Sequence, residues 1–416
     1  MGFLISVRIN YRICLFENIL ERFIPIMKYS DEVLALFSLA VLIIYLPRVK
    51  LTWIHVGIIS SIILTVLVGV ISNFISGVWM PSIAIWKDIL AINKFFLVYL
   101  FGSIVLQRGI PIRNFQRLVT FSRIYLVVLF FFGLLSQFVD LGMTREKRYF
   151  IKSFTFLYSH ETFLVSVVVA LLAILLVQGD QKNRPYIILG FIVLIFTMRS
   201  KAIVFMMVVV GLNIFLRKHS HYNRNLFLRH HKNKLYILMF IILGATFFLL
   251  KDKLMLYLSY GITAARPALY FVGIEIVKDL FPFGTGLGTF ASYLSTAYNS
   301  PVYAQYGIQN VTGLNIETNF VYVSDTYWPY IFGQFGVLGA LLYFTAILFV
   351  YKNCMRVIGE RKSGFITILA TFSYILAACF AESLLTNATC VIFGLLLGYY
   401  LNINFDTRHE VVKHNE

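Results

Sequence analysis

The sequence predicts an all-α, polytopic membrane helix bundle, and three observations carry that expectation. Of its 416 residues 59% are hydrophobic and only 13% are charged, whereas a soluble domain carries roughly 25% charged residues. Apolar windows near the ~20 residues needed to cross a bilayer recur along the chain. One interval, Lys251–Pro329, is neither apolar enough to span nor charged like a cytoplasmic linker. The expected organisation is a single integral membrane domain over residues 1–416, with 251–329 as an extracytoplasmic loop that contains short helices.

Residues 1–28 spread Arg8, Arg12, Glu17, Glu21 and Arg22 along the segment and leave no uninterrupted apolar centre. That argues against a cleavable signal peptide and leaves an interfacial amphipathic helix or a weak first span. Eleven further spans are expected, near 33–47, 53–75, 89–106, 119–139, 162–179, 185–198, 202–216, 235–250, 330–350, 365–385 and 389–403. Residues 1–28 would make twelve.

The formal charge of +17 would suggest nucleic acid in a soluble protein. Here the cations sort by loop: one alternate set of loops and the C-terminal tail hold 19 Lys and Arg, the other set 11. The excess of cations on cytoplasmic loops puts Arg217–Lys234 inside and Lys251–Pro329 outside. The four histidines of that basic segment (His219, His221, His230, His231) have no acidic or Cys neighbours in sequence and read as part of a solvated loop, not a metal site. Cys14, Cys354, Cys379 and Cys390 are scattered and read as small core residues. No metal and no cofactor is expected, and no internal repeat points to alternating access.

The long interval has three parts. A short helix runs over about Pro267–Leu280, opened by a proline in its first turn and closed before Pro282. The glycine-dense turn Phe281–Phe290 follows, then an aromatic segment that ends in Ser324–Pro329. The glycines of GTGLG lack the βαβ unit that nucleotide binding requires; they fit a tight turn that lets a sugar or a backbone approach closely.

Several residues could carry chemistry. The apolar runs flanking Arg199 and Lys201 are short, roughly 21 and 22 Å of helix against a ~30 Å hydrocarbon core. Either the flanks snorkel or the turn is drawn inward, which makes a cationic pocket for phosphate oxygens at headgroup depth. Arg266 opens the short loop helix, where free backbone N–H groups and a guanidinium suit an anion, and Tyr270 shares its face. Arg145, Lys147, Arg148 and Lys152 suit either a polyanionic substrate or lipid phosphates. Asp325, among Tyr322, Tyr327 and Trp328, is placed either as a general base beside sugar-stacking rings or as a helix cap. Glu382 is an intramembrane carboxylate with no partner apparent in the sequence, and Asp88 and Lys94, six apart, do not face each other.

The chain resembles the O-antigen or exopolysaccharide polymerases (Wzy-type) of the O-antigen ligase-like superfamily. The resemblance is sharpest in Trp86–Phe95, Phe196–Ala202, Ala265–Phe290 and Ser324–Tyr343, in that order. It implies a glycosyltransferase of the bacterial cytoplasmic (inner) membrane that takes a growing glycan from polyprenyl pyrophosphate at the outer leaflet. The acceptor would be the next lipid-linked repeat unit, and a chain-length regulator is an implied partner. It further implies that Arg199, Lys201 and Arg266 bind the pyrophosphate, with Asp325 and Arg266 catalytic. Tyr270, Tyr327, Trp328, Arg145 and Arg148 would contact glycan. Ligases of the superfamily usually rely on a histidine in the large loop, and Lys251–Pro329 contains none. That favours a polymerase; a ligase-type transferase and a lipid-linked oligosaccharide flippase or transporter are the alternatives.

Overall fold

In an apolar surround a backbone can only bond to itself, so long apolar runs without internal proline become helices. The computed structural model describes residues 29–106, 112–148, 150–217, 224–315, 317–318 and 322–403. It is 75% helical with almost no strand. All eleven apolar windows fall on helices: α1 (Ser30–Tyr45), α2 (Trp53–Ser76), α3 (Ser82–Leu100), α4 (Ile112–Phe138), α5 (Glu161–Gln178), α6 (Arg184–Phe196), α7 (Ser200–Arg217), α8 (Arg224–Tyr260), then, after three short loop helices, α12 (Trp328–Val357), α13 (Lys362–Ala378) and α14 (Thr389–Tyr400). The three short ones are α9 (Ala265–Asp279), α10 (Tyr293–Ala297) and α11 (Val302–Gln305). Among the described residues 7 helices are long and apolar enough to cross a membrane, with shorter apolar stretches at Asn233–Phe248, Lys362–Ala378 and Thr389–Tyr400. Strands β1 (Thr144–Arg148) and β2 (Ile151–Phe154) form an antiparallel hairpin between α4 and α5. Residues 1–28, with Cys14, and the histidines His219 and His221 lie outside the described residues.

Two expected boundaries move. Helix α8 does not stop at Lys251 but continues to Tyr260, and it begins at Arg224, so the second half of the basic Arg217–Lys234 segment is helix. Neither stretch contains Gly or Pro before Gly261, and Leu, Lys, Arg and Met are good helix formers, so charge alone does not end the helix. Glu382 lies beyond the end of α13 and not within a span, because that helix stops at Ala378.

Helix α5 is the centre of the bundle, with 89% of its span buried. Helix α13 packs against it and against α7, α2 lies along α12, and α3 along α14. Just past the end of α3 two glycines meet: a Cβ at Gly102 would stand 3.1 Å from Gly398 Cα of α14, so glycine lets the backbones come this close. Helix alternation gives the bundle two ends. One gathers the last turns of α5 and α7 against the first turn of α13, where Ser363 Oγ donates to Val177 O (3.2 Å) and Lys362 Nζ to Leu216 O (2.6 Å). The other gathers the hairpin, the α6–α7 turn, the short loop helices, the first turn of α12 and the α13–α14 connection. Ser153 Oγ to Thr197 O (3.0 Å) and Ser383 N to Ser324 O (3.1 Å) tie that end together.

The glycine-dense turn is threaded into a break in α12. Gly336 sits at φ 62°, ψ −163°, which interrupts the helix and frees its carbonyls. Thr285 N then donates to Gly333 O (2.8 Å), Gly286 N to Gln334 O (2.9 Å), and Leu338 N to Pro282 O (3.1 Å). Asp88 of α3 accepts from Gly288 N (2.9 Å) and from Tyr330 OH (3.1 Å). Lys94 instead makes a buried ion pair with Asp31 of α1, so Asp88 and Lys94 indeed serve different partners. What approaches these glycines is protein: Gln334 backbone at Gly284 and the Asn73 side chain at Gly286. A methyl group at Gly336 would overlap the Pro282 and Phe283 backbone, at a φ that L-residues avoid. Gly336→Ala is therefore expected to cost roughly 2–5 kcal/mol, the sum of overpacking and left-handed strain. A lowered thermal transition in detergent would show it, and an unchanged one would refute the threading.

Candidate functional site

Four short segments meet at the end of the bundle that carries the hairpin. The first is the α6–α7 turn. It is tight, with Met198 at φ 52°, and it aims Arg199 at Glu161, the first residue of α5, with which it forms an ion pair. His160 caps α5: its Nδ1 accepts from Thr162 N (3.2 Å), and its Nε2 lies 3.2 Å from the Arg199 guanidinium. The hairpin adds Arg145, whose Nε is 4.0 Å from Glu161 and whose NH2 donates to Ser159 O (2.6 Å). Ser153 Oγ sits 3.3 Å from the same Glu161 carboxylate.

The second segment is the start of α7. Lys201, the second residue of that helix, is paired with Glu382 from the α13–α14 connection and lies 5.9 Å from the Tyr374 ring centre. Glu382 thus has the partner that the sequence could not name. The third and fourth segments are the α8–α9 junction and the segment before α12. Arg266 NH2 donates to Asp325 Oδ2 (2.8 Å) and NH1 to Tyr257 OH (3.0 Å). Asp325 does not cap α12, whose first flanking residue is Tyr327. The α13–α14 connection is laced to the Asp325 segment: Tyr327 N donates to Cys379 O (3.1 Å), and Ser383 Oγ to Ser324 O (2.8 Å). Tyr270 OH closes the corner on Phe380 O (3.1 Å).

These contacts group the expected phosphate-binding residues into three ion-paired sets at this end of the bundle: Arg145–Glu161–Arg199, Lys201–Glu382 and Arg266–Asp325. Arg199 and Asp325 are both near enough to act electrostatically on Glu382, which links the three sets. Burial works against the charge on Arg266, but Asp325 and Tyr257 outweigh it and hold its pKa above the usual value. Burial pushes the His160 imidazole down to about 4, opposed by Glu161 and helped by Arg199 and Arg145. His160 is therefore neutral at physiological pH. The buried polar atoms of the described residues with no hydrogen-bond partner include Arg266 Nε, Thr326 Oγ1 and Glu382 Oε1. Buried polar atoms are seldom left unsatisfied, so hydrogen-bonding capacity is concentrated beside the cations.

Not every expected residue joins the site. Tyr327 and Trp328 are buried, not open platforms for sugar: Tyr327 OH donates to Tyr343 OH (2.6 Å), and Trp328 stacks on Phe344 at 4.9 Å. Tyr327, Trp328 and Tyr330 cluster at the start of α12, and the bundle takes these rings into its core. Arg148 pairs with Ile151 through its backbone; its side chain is outside what the structure describes. Sequence reasoning passed over His160 and Glu161. The signal was available: two basic segments, around Arg145 and Arg199, flank a pair of helices, the first of which starts with a carboxylate.

The His160 environment has a consequence for stability. Its folded pKa lies below the unfolded value of 6.5, so the unfolded chain binds the extra proton first as pH falls. The His160 contribution to stability is present above that value and lost progressively towards pH 4. Replacing it with Asn is expected to flatten the acid side of the melting-temperature profile; an identical profile would contradict the assignment. Compared with known proteins, the sequence matches no family model and no curated protein.

Proposed function

We propose that the protein is a polysaccharide polymerase: a membrane glycosyltransferase that moves a growing glycan from polyprenyl pyrophosphate onto the next lipid-linked repeat unit. The observation that carries this reading is the gathering of Arg199 and Lys201, from one turn, with Arg266, far from them in sequence, at one end of an apolar helix bundle. A lipid-linked diphosphate would present its charge there while its tail stays among apolar helices. In this reading that end faces the extracytoplasmic side, which agrees with the lower share of Lys and Arg in its loops.

The chemistry follows from the charges. The acceptor hydroxyl oxygen attacks the anomeric carbon, the bond from that carbon to the diphosphate oxygen breaks, and polyprenyl pyrophosphate leaves with the electron pair. Fixed guanidinium and ammonium groups stabilise the growing negative charge without reorganising. In the resting site each cation is held by a carboxylate, so an incoming diphosphate competes for the cations. When Arg266 turns to phosphate, Asp325 is released to take the proton of the acceptor hydroxyl. His160, neutral beside Arg199, is a second group able to accept a proton.

The test is purified protein with short lipid-linked repeat units in vesicles. The expected result is a ladder of longer glycans with release of polyprenyl pyrophosphate. Movement of the substrate across the bilayer without elongation would overturn the reading in favour of a flippase. Transfer only to a lipid or protein core would overturn it in favour of a ligase.

A further inference from the structure

Helix α4 leaves one stripe uncovered. Ile124, Val127, Phe131, Leu134 and Phe138 recur at helical spacing and are exposed, Phe138 to 79%. In a helix apolar enough to span a membrane such a face belongs to acyl chains. At the end of this stripe stands the β1–β2 hairpin, and its position is fixed. The Gln137 side chain, in the last turn of α4, accepts from Lys152 N (2.9 Å) and donates to Lys152 O (3.1 Å), which clamps β2 beside that turn. Phe154 packs deeper, against Gly133. The hairpin therefore lies at the depth where the apolar stripe of α4 ends, and its turn carries Phe150, exposed to 93%.

The charges on the hairpin divide into two groups. Arg145 is turned inwards, to Ser159 and Glu161. Lys147 and Lys152 are directly opposite each other across the strand pair. Like charges in that position destabilise a hairpin unless an anion lies between or beside them. Glu146, next to Lys147, is exposed and is not ion-paired among the described residues.

We propose that this hairpin is a docking element for anionic phospholipid: Phe150 enters the interface beside the lipid-facing stripe of α4, and Lys147 and Lys152 hold headgroup phosphate between them. An aromatic tip next to paired lysines is the composition that binds a bilayer surface, where the ring sits at headgroup level and the ammonium groups meet anionic lipid. An acidic glycan would satisfy the lysines but would leave Phe150 in water. The assignment separates Arg145, which belongs to the ion-paired set at Glu161, from Lys147 and Lys152, which do not.

A fluorophore on Phe150→Cys tests this in the full-length protein, reconstituted in phosphatidylcholine with or without phosphatidylglycerol. The unsubstituted protein labelled in parallel gives the background from native cysteines, of which Cys354, Cys379 and Cys390 are buried. With phosphatidylglycerol the label is expected to be quenched by a nitroxide on the lipid and protected from an aqueous quencher. Lys147→Gln and Lys152→Gln should each weaken the preference for the anionic bilayer about fivefold. The same proteins without label, checked for an unchanged melting transition, show that the hairpin has not unfolded. Equal quenching in neutral and anionic bilayers would overturn the recognition of anionic lipid. A label that stays in water in both, and is shielded only by an added acidic polysaccharide, would overturn it in favour of a glycan ligand.

Discussion

Arg266→Ala is expected to stop chain elongation while leaving the protein folded. Loss of one fixed donor to a developing oxyanion typically costs about 10²–10³-fold in turnover, and Arg266 in this reading also releases Asp325. The structural cost is small. The Arg266 and Asp325 side chains are 24% and 32% exposed, so an abandoned Asp325 still reaches water, and such pairs contribute about 1 kcal/mol or less. Glycan length on a gel, set beside the melting transition of the same preparation, separates the two effects. Near-normal chain length in the variant would remove Arg266 from the site. Arg266→Lys keeps the charge but loses the two-pronged geometry, and is expected to fall between wild type and Ala.

Glu382→Ala should act the other way round, first on the fold. Its partner Lys201 has a side chain only 8% exposed, so removing the carboxylate leaves a buried ammonium without its counter-charge. Breaking a buried pair in this manner costs about 3–5 kcal/mol. Replacing both partners, Lys201→Met with Glu382→Met, removes the stranded charge and is expected to restore most of that loss. The double variant should then melt near wild type yet fail to elongate, because Lys201 is one of the proposed phosphate contacts. A Glu382→Ala protein that melts like wild type would show that Lys201 finds water or another anion, and the link between the Arg199 and Arg266 sets would lose its middle.

The helices were legible because apolar runs admit little else, and each expected window lies on one. Their ends were less so: α8 outruns both expected boundaries because helix-forming residues continue past the change in charge. The short α6, 13 residues before its turn, was readable from the count of apolar residues alone. Packing was not. Nothing local marks Gly336 as a break, since its role depends on Phe281–Phe290 arriving from elsewhere in the chain. Lys201 and Glu382 are far apart in sequence, and the partner of a buried charge is a tertiary fact. Tyr327 and Trp328 mislead for the same reason, as composition shows that a segment is aromatic but not which way it faces. Arg199, Arg266 and Asp325 were readable as candidates because charge in an apolar chain is costly enough to need a reason. Their mutual arrangement needed the fold.

The most direct test is binding of polyprenyl pyrophosphate to purified wild type, Arg199→Lys and Arg266→Lys. These substitutions keep each positive charge beside its carboxylate and so spare the fold. If one diphosphate is gripped by both guanidinium groups, binding is one to one and either change weakens it by about tenfold or more, the worth of a charge-assisted hydrogen bond. An affinity that falls with Arg266→Lys and stays at wild type with Arg199→Lys, or the reverse, would contradict a shared grip. Two ligands per chain would contradict it as well.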